Sequence, residues 1–161
     1  MPNIVLVGFM GSGKSTIGSA LAQRLGRFLI DTDLLIESSA GQSITEIFAH
    51  FGEQEFRALE SKAIAWLSAN VRNAIIATGG GMPIFNDIRS LGEIYYLQSD
   101  FDTIIARLDS LQRAKRPLFD NESSARELYR ARAEVYAKVA DHIINANKPK
   151  DEIIESILAD L

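Results

Sequence analysis

Short unbroken apolar runs punctuate the chain, and between them apolar residues recur every three or four positions. Ile4-Val5-Leu6-Val7 comes first, short and β-branched, the pattern of a strand buried on both faces. A glycine loop follows, then a helical segment over about 14–25 that Gly26 closes as a C-terminal cap. Phe28-Leu29-Ile30, Ala74-Ile75-Ile76-Ala77, Ile94-Tyr95-Tyr96-Leu97 and His142-Ile143-Ile144-Asn145 are further strand-like runs. The first of these ends at Asp31-Thr32-Asp33, and a helix is expected from about 34 to near Gly41. Ser43-Ile44-Thr45-Glu46 is a capping box that opens another helix, to about 51. Over about 53–70, Phe56, Leu59, Ala63 and the Trp66/Leu67 pair recur at helical spacing and are expected to face the core. A helix over about 101–108 leads into a polar stretch, 109–123. Ser124-Ala125-Arg126-Glu127 reads as a second capping box, opening a helix to about 139, and a closing helix occupies about 151–161. Strands alternating with helices predict βαβ units and a parallel sheet, in one three-layer α/β domain.

Composition narrows the function. A chain of 161 residues is long enough for one domain with a real core. Its net charge of −4 argues against general nucleic-acid binding, although a local basic cluster can still hold a small anion. The absence of cysteine excludes disulfides, thiolate metal sites and cysteine nucleophiles. The N-terminus lacks a signal-peptide layout, and no apolar run approaches the ~20 residues of a membrane span. A soluble cytoplasmic domain is expected, with neither membrane nor nucleic acid as partner. A monomer is expected too, because the pattern leaves no apolar stripe over.

The loop after the first strand is Gly8-Phe9-Met10-Gly11-Ser12-Gly13-Lys14-Ser15, which matches the P-loop pattern Gly-x-x-x-x-Gly-Lys-Ser at every defined position. Gly11, Ser12 and Gly13 bend the backbone so that successive N–H groups point inward at phosphate oxygens. The helix starting near Lys14 aims its positive end at the same place, with Thr16 in its first turn. Lys14 supplies an ammonium for the β- and γ-phosphates, and Ser15 a hydroxyl for Mg²⁺, a hard cation that prefers oxygen ligands. The buried-type strand before the loop and the helix after it are the context this chemistry needs. A GTPase base reader, Asn-Lys-x-Asp, is missed at Asn147-Lys148-Pro149-Lys150, where Lys150 replaces the carboxylate. A small ATP-dependent kinase fits the length better than a motor or a transporter ATPase.

Four more features surround that core. Asp31-Thr32-Asp33 sits at the carboxyl end of a strand, where open parallel sheets gather their functional residues. One carboxylate can reach the Mg²⁺ shell and the other can orient or deprotonate a substrate hydroxyl; a plain helix cap is the bland alternative. Arg57 and Glu60, three apart on a helix, can pair as a weak surface ion pair or so that the glutamate holds the arginine for an anionic substrate. Gly79-Gly80-Gly81 follows the third run, as expected where backbone must approach a ligand closely. Arg107, Arg113, Lys115, Arg116, Arg130 and Arg132 form a basic cluster around the 109–123 stretch. That stretch has the makings of a lid that brings an arginine to the transferring phosphoryl, or of an ordinary solvated loop. His50 and His142 have no partner motif and are expected to be structural.

Gly-Phe-Met-Gly-Ser-Gly-Lys-Ser, Asp-Thr-Asp, Phe-Arg-x-x-Glu, the triple glycine and Arg-Pro-Leu, taken together and in this order, resemble the shikimate kinase family over essentially the whole chain. The resemblance implies transfer of the γ-phosphoryl of ATP to the 3-hydroxyl of shikimate, and a nucleoside monophosphate kinase-like fold with parallel strands in the order 2-3-1-4-5. It implies Lys14 on phosphate, Ser15 and Asp31 on Mg²⁺, and Asp33 on the shikimate hydroxyls as the candidate base. Arg57 and Arg132 would grip the shikimate carboxylate, with Gly79, Gly80 and Gly81 as backbone contacts and Phe48 and Phe56 as an apolar wall. Arg116 would be the lid arginine, Arg107 would stack on adenine, and Asn147 to Pro149 would form the adenine loop. The substrate-binding segment would span about 33–61 and the lid about 109–123. Met82 follows the triple glycine where a smaller residue is expected, and Met10 lies inside the P-loop at a position facing the substrate side; either could alter the pocket's shape.

Two other small-molecule kinases, acting on gluconate or on a nucleotide, and a catalytically silent nucleotide-binding partner are the alternatives. Asp-Thr-Asp with Phe-Arg-x-x-Glu favours shikimate over a sugar acid. No separate base-reading segment supports a nucleotide acceptor, and intact Lys14, Asp33 and Arg116 argue against silence.

Overall fold

The computed structural model describes residues 1–108 and 117–161. Five parallel strands form one sheet: β1 (Ile4–Val7), β2 (Leu29–Asp31), β3 (Ile75–Ala77), β4 (Glu93–Gln98) and β5 (His142–Asn145), in the order β2-β3-β1-β4-β5. This is the expected strand order. The unbroken apolar runs are explained by burial on both faces. Val5 and Val7 point into one cluster with Ile76, Ile94 and Tyr96, whereas Ile4 and Leu6 point into another with Ile75, Tyr95 and Leu97. Alternate side chains of one strand thus feed two cores, and each fully buried Val, Ile or Leu contributes roughly 1.5–3 kcal/mol.

Helices α1 (Lys14–Leu25) and α8 (Lys150–Ala159) cover the second cluster. The first is covered by α2 (Thr32–Ala40), α3 (Ile44–Phe51), α4 (Glu53–Asn70), α5 (Met82–Phe85), α6 (Phe101–Arg107) and α7 (Glu122–Val139). Both Gly26 and Gly41 end their helices in the left-handed conformation, and the Ser43 capping box is complete. Among the described residues no helix is long and apolar enough to cross a membrane.

Several elements differ from the sequence expectation. Helix α2 begins at Thr32, two residues early, because Asp31 Oδ1 caps it by accepting from the N–H groups of Asp33 and Leu34. Helix α7 begins at Glu122, because Asn121 accepts from the Ser124 N–H, so Ser124 lies inside the helix rather than opening it. Of the Trp66/Leu67 pair only Leu67 is in the core; Trp66 is 52% exposed. Phe28 lies outside β2 and is exposed. The one-turn helix α5 was not anticipated.

Candidate active site

The carboxyl ends of β1, β2 and β3 all open on one cleft of about 720 Å³, lined by the glycine loop, Asp31, Asp33, Thr78, Gly79 and Gly80 and by Arg107 and Lys148 to Lys150 on the far side. Gly11 and Gly13 have φ of 82° and 95°, conformations that side chains resist, and these let the loop turn back into α1. Helix α1 has no side-chain cap among the described residues and no acidic residue in its first turn, so its N-terminal N–H groups and positive dipole end face the cleft. Lys14 Nζ donates to the carbonyls of Gly8 and Phe9, at 2.7 and 3.0 Å, which holds the ammonium over the loop. Buried Ser12 has a hydroxyl with no hydrogen-bond partner among the described residues.

Asp31 works in two directions. While Oδ1 caps α2, Oδ2 accepts from the Ser15 hydroxyl at 3.1 Å. Ser15 and Asp31 therefore present two hard oxygens side by side at the phosphate end of the cleft. Asp33, one helical step on, is different. Burial pushes its carboxyl from 3.8 up to about 6, helped by the charges of Asp31 and Glu60 and opposed by Lys14. Its Oδ1 is buried against Gly79 and has no hydrogen-bond partner among the described residues, an arrangement that costs free energy and favours the protonated form.

Next to Asp33 stands a second group, built around Gly79 to Gly81. Arg57, on α4, donates through Nη1 to Glu60 Oε1 at 2.7 Å and through Nε and Nη2 to Glu53 Oε1 at 3.3 and 3.2 Å. Glu60 is 1% exposed; burial raises its carboxyl and the Arg57 hydrogen bond opposes the rise. The nearest heavy atoms to a Cβ added at Gly81 are those of the Arg57 guanidinium, at 2.7 and 2.8 Å. A Cβ on Gly80 would meet Tyr136 and Arg132, at 3.5 and 3.6 Å. Tyr136, fully buried on α7, donates to the Gly80 carbonyl at 2.6 Å. Two arginines from helices far apart in sequence thus converge on one glycine turn. Phe48 and Phe56 pack together beside it, with ring centroids 5.0 Å apart.

A family model described as shikimate kinase matches residues 10–161. A curated shikimate kinase of Helicobacter hepaticus is 52% identical over 158 residues, covering 98% of this chain and 95% of the relative. The chain belongs to the shikimate kinase family. Two solved shikimate kinases superpose on it. That of Acinetobacter baumannii, in complex with shikimate, gives a TM-score of 0.83 at 32% identity, covering 99% of this chain and 94% of the other. That of Bacteroides thetaiotaomicron gives 0.86 at 28% identity, covering 99% of each. As a shikimate kinase family member the chain is an ATP-dependent kinase, and the α/β fold expected of it is the fold observed.

The site residues expected of a shikimate kinase, Asn147 apart, fall into three sets. Gly11, Ser12, Gly13, Lys14, Ser15, Thr16, Asp31, Asp33, Gly79, Gly80 and Arg107 line the cleft. Arg57, Gly81, Arg132 and Phe48 are grouped around the glycine turn beside it. Arg116 lies outside the described residues, as do Arg113 and Lys115. Arg107 donates to the Ala146 carbonyl at 2.7 Å, which ties α6 to the segment where an adenine is expected. Asn147 does not line the cleft: its amide exchanges hydrogen bonds with Asp100, while Lys148, Pro149 and Lys150 form the wall. Met82 is fully buried in the core beneath the glycine turn, so it does not shape the cleft, whereas Met10 lines it.

Sequence reasoning missed Thr32, Glu53, Phe85 and Tyr136. Thr32 is fully buried, and its hydroxyl accepts from the Gly79 N–H at 3.0 Å, fixing the glycine turn beside Asp33. Only Glu53, four residues before Arg57, had a local signal, the helical spacing of an ion pair.

Proposed function

We propose that the cleft transfers the γ-phosphoryl of ATP to the 3-hydroxyl of shikimate, giving shikimate 3-phosphate and ADP, with the roles divided as follows. The glycine loop, the α1 N-terminus and Lys14 hold the triphosphate and neutralise charge as it develops. The observation that carries the reading is the Asp33 carboxylate, raised by burial and lining the cleft between the phosphate loop and the two arginines. A shikimate hydroxyl would meet the cleft side of this carboxylate, and Asp33 would orient that hydroxyl and take its proton. Arg57 and Arg132 would hold the carboxylate at the other end of the acceptor, with Gly79 to Gly81 giving close backbone approach and Phe48 and Phe56 an apolar side. Arg107 would flank the adenine, with the 147–149 turn behind it.

Ser15 and Asp31 fit Mg²⁺, which takes few protein oxygens and leaves the rest of its shell to phosphate and water. When bound it supplies positive charge to the β- and γ-phosphates. The acceptor is a small molecule, and the protein acts as a monomer. The acceptor segment would span about 33–61, and a cytoplasmic location suits an enzyme that draws on ATP.

ADP release measured with ATP and Mg²⁺ across shikimate, gluconate and nucleoside monophosphates tests the reading. Release with shikimate alone is expected; its absence would sink the assignment, and release with gluconate in its place would move it to a sugar acid.

A further inference from the structure

Helix α5 is a single turn, closed by the Phe85 N–H donating to the Gly81 carbonyl at 3.2 Å. That turn presents two surfaces to Arg57 at once. One is the bare Cα of Gly81, against which the guanidinium lies. The other is the ring of Phe85, whose centroid is 4.0 Å from Arg57 Cζ, closer than the Phe56 ring at 5.2 Å. Phe85 is 52% exposed. A large apolar side chain so placed contributes little to the core.

We propose that Phe85 is a positioning residue for the acceptor's carboxylate, holding the plane of the Arg57 guanidinium through a cation–π contact. The proposal rests on the reading that Arg57 grips that carboxylate. Glu53 and Glu60 hold the guanidinium by its edges, at Nε, Nη1 and Nη2. Edge contacts alone leave the plane free to tilt, and the Glu53 contacts are long and partly exposed, hence weak. A ring on the face fixes the plane. It also steadies the cation without adding negative charge, whereas a third carboxylate would repel the acceptor's own. Gly81 leaves room for the arrangement, and its distance of four residues from Phe85 puts both on the same side of the turn.

Steady-state kinetics and calorimetric binding of shikimate on Phe85→Leu, Phe85→Tyr and Phe85→Trp, with Arg57→Ala alongside, test this. Phe85→Leu is expected to raise the shikimate KM and Kd roughly threefold or more, the size of a cation–π contact. The KM for ATP and the melting temperature should stay near wild type, and Tyr and Trp should restore shikimate binding. If Phe85→Leu binds shikimate as wild type does while Arg57→Ala binds it poorly, the Phe85 proposal is overturned and the Arg57 grip stands. If Arg57→Ala also leaves shikimate binding unchanged, the grip itself is wrong and the proposal falls with it. A loss that Trp and Tyr share equally with Leu, or that affects ATP as much as shikimate, also overturns it.

Discussion

The Cα of Gly79 lies directly against the carboxylate of Asp33, and a Cβ at that position would overlap Oδ1. The same N–H that Gly79 gives to Thr32 fixes the contact. Gly79→Ala is therefore expected to push the carboxylate out of line or to spread the turn. We expect kcat/KM for shikimate to fall by at least ~10-fold, since misplacement of about an ångström has effects of that order. Nucleotide affinity should hold, because the phosphate loop is not touched. Parallel titrations of both ligands check this; equal losses would indicate a general fold defect.

Asp33 makes the site pH-dependent. With its carboxyl raised from 3.8 to about 6, the folded chain binds more protons than the unfolded chain between those values. Stability therefore falls as pH rises through that window and levels off above about 6. Asp33→Asn should melt higher than wild type at pH 7 to 8, by on the order of 2 kcal/mol, and the gain should vanish toward pH 4. Activity runs the other way. The ionised carboxylate is the form that takes a proton, so kcat/KM should rise with pH to a plateau above about 6. The Asn variant should lose turnover yet still bind ATP. Normal turnover in that variant would remove Asp33 from the chemistry.

How much of this was legible depends on how local each signal is. The strand–loop–helix from Ile4 to Gly26 could be read because the apolar run, the glycines and the cap are contiguous. The Ser43 capping box could be read for the same reason, its two partners being three residues apart. The Asp31 carboxylate held two readings, metal contact and helix cap. The two prove compatible in geometry, because one oxygen caps α2 while the other meets Ser15. What stayed hidden is long-range. Thr32 reaches Gly79 across 47 positions and Tyr136 reaches Gly80 across 56, and no periodicity announces either bond. Helix α5 is too short to show a period, and its Pro83 reads as a breaker. At Trp66 and Leu67 helical spacing admits either residue to the core, and only packing chose Leu67.

The divided role of Asp31 can be separated by substitution. Asn caps a helix about as well as Asp, so Asp31→Asn should keep the melting temperature while losing charge beside Ser15. The Mg²⁺ concentration for half-maximal activity should rise, by roughly 10-fold if the carboxylate's charge is what the cation feels. Asp31→Ala should lose the cap as well, at a cost of about 1 kcal/mol. Magnesium titrations and thermal melts on both variants distinguish the two functions. An unchanged magnesium requirement in Asp31→Asn would leave Asp31 as a cap alone.

Tyr136 offers the sharpest separation of acceptor from donor. Its buried hydroxyl donates to the Gly80 carbonyl, and burial pushes the phenol up to about 12 against the opposing charge of Arg132. Tyr136→Phe keeps the ring that packs near Tyr96 but removes the donor of the part-buried Gly80 carbonyl, a change of about 1 kcal/mol in stability. It also frees the glycine turn, against which the Arg132 guanidinium lies. Since those lie on the acceptor side, the shikimate KM should rise severalfold while the KM for ATP stays near wild type. Thermal melts and steady-state kinetics on the same preparation decide the matter: a lower melting temperature with both KM values unchanged would make Tyr136 a packing residue and nothing more.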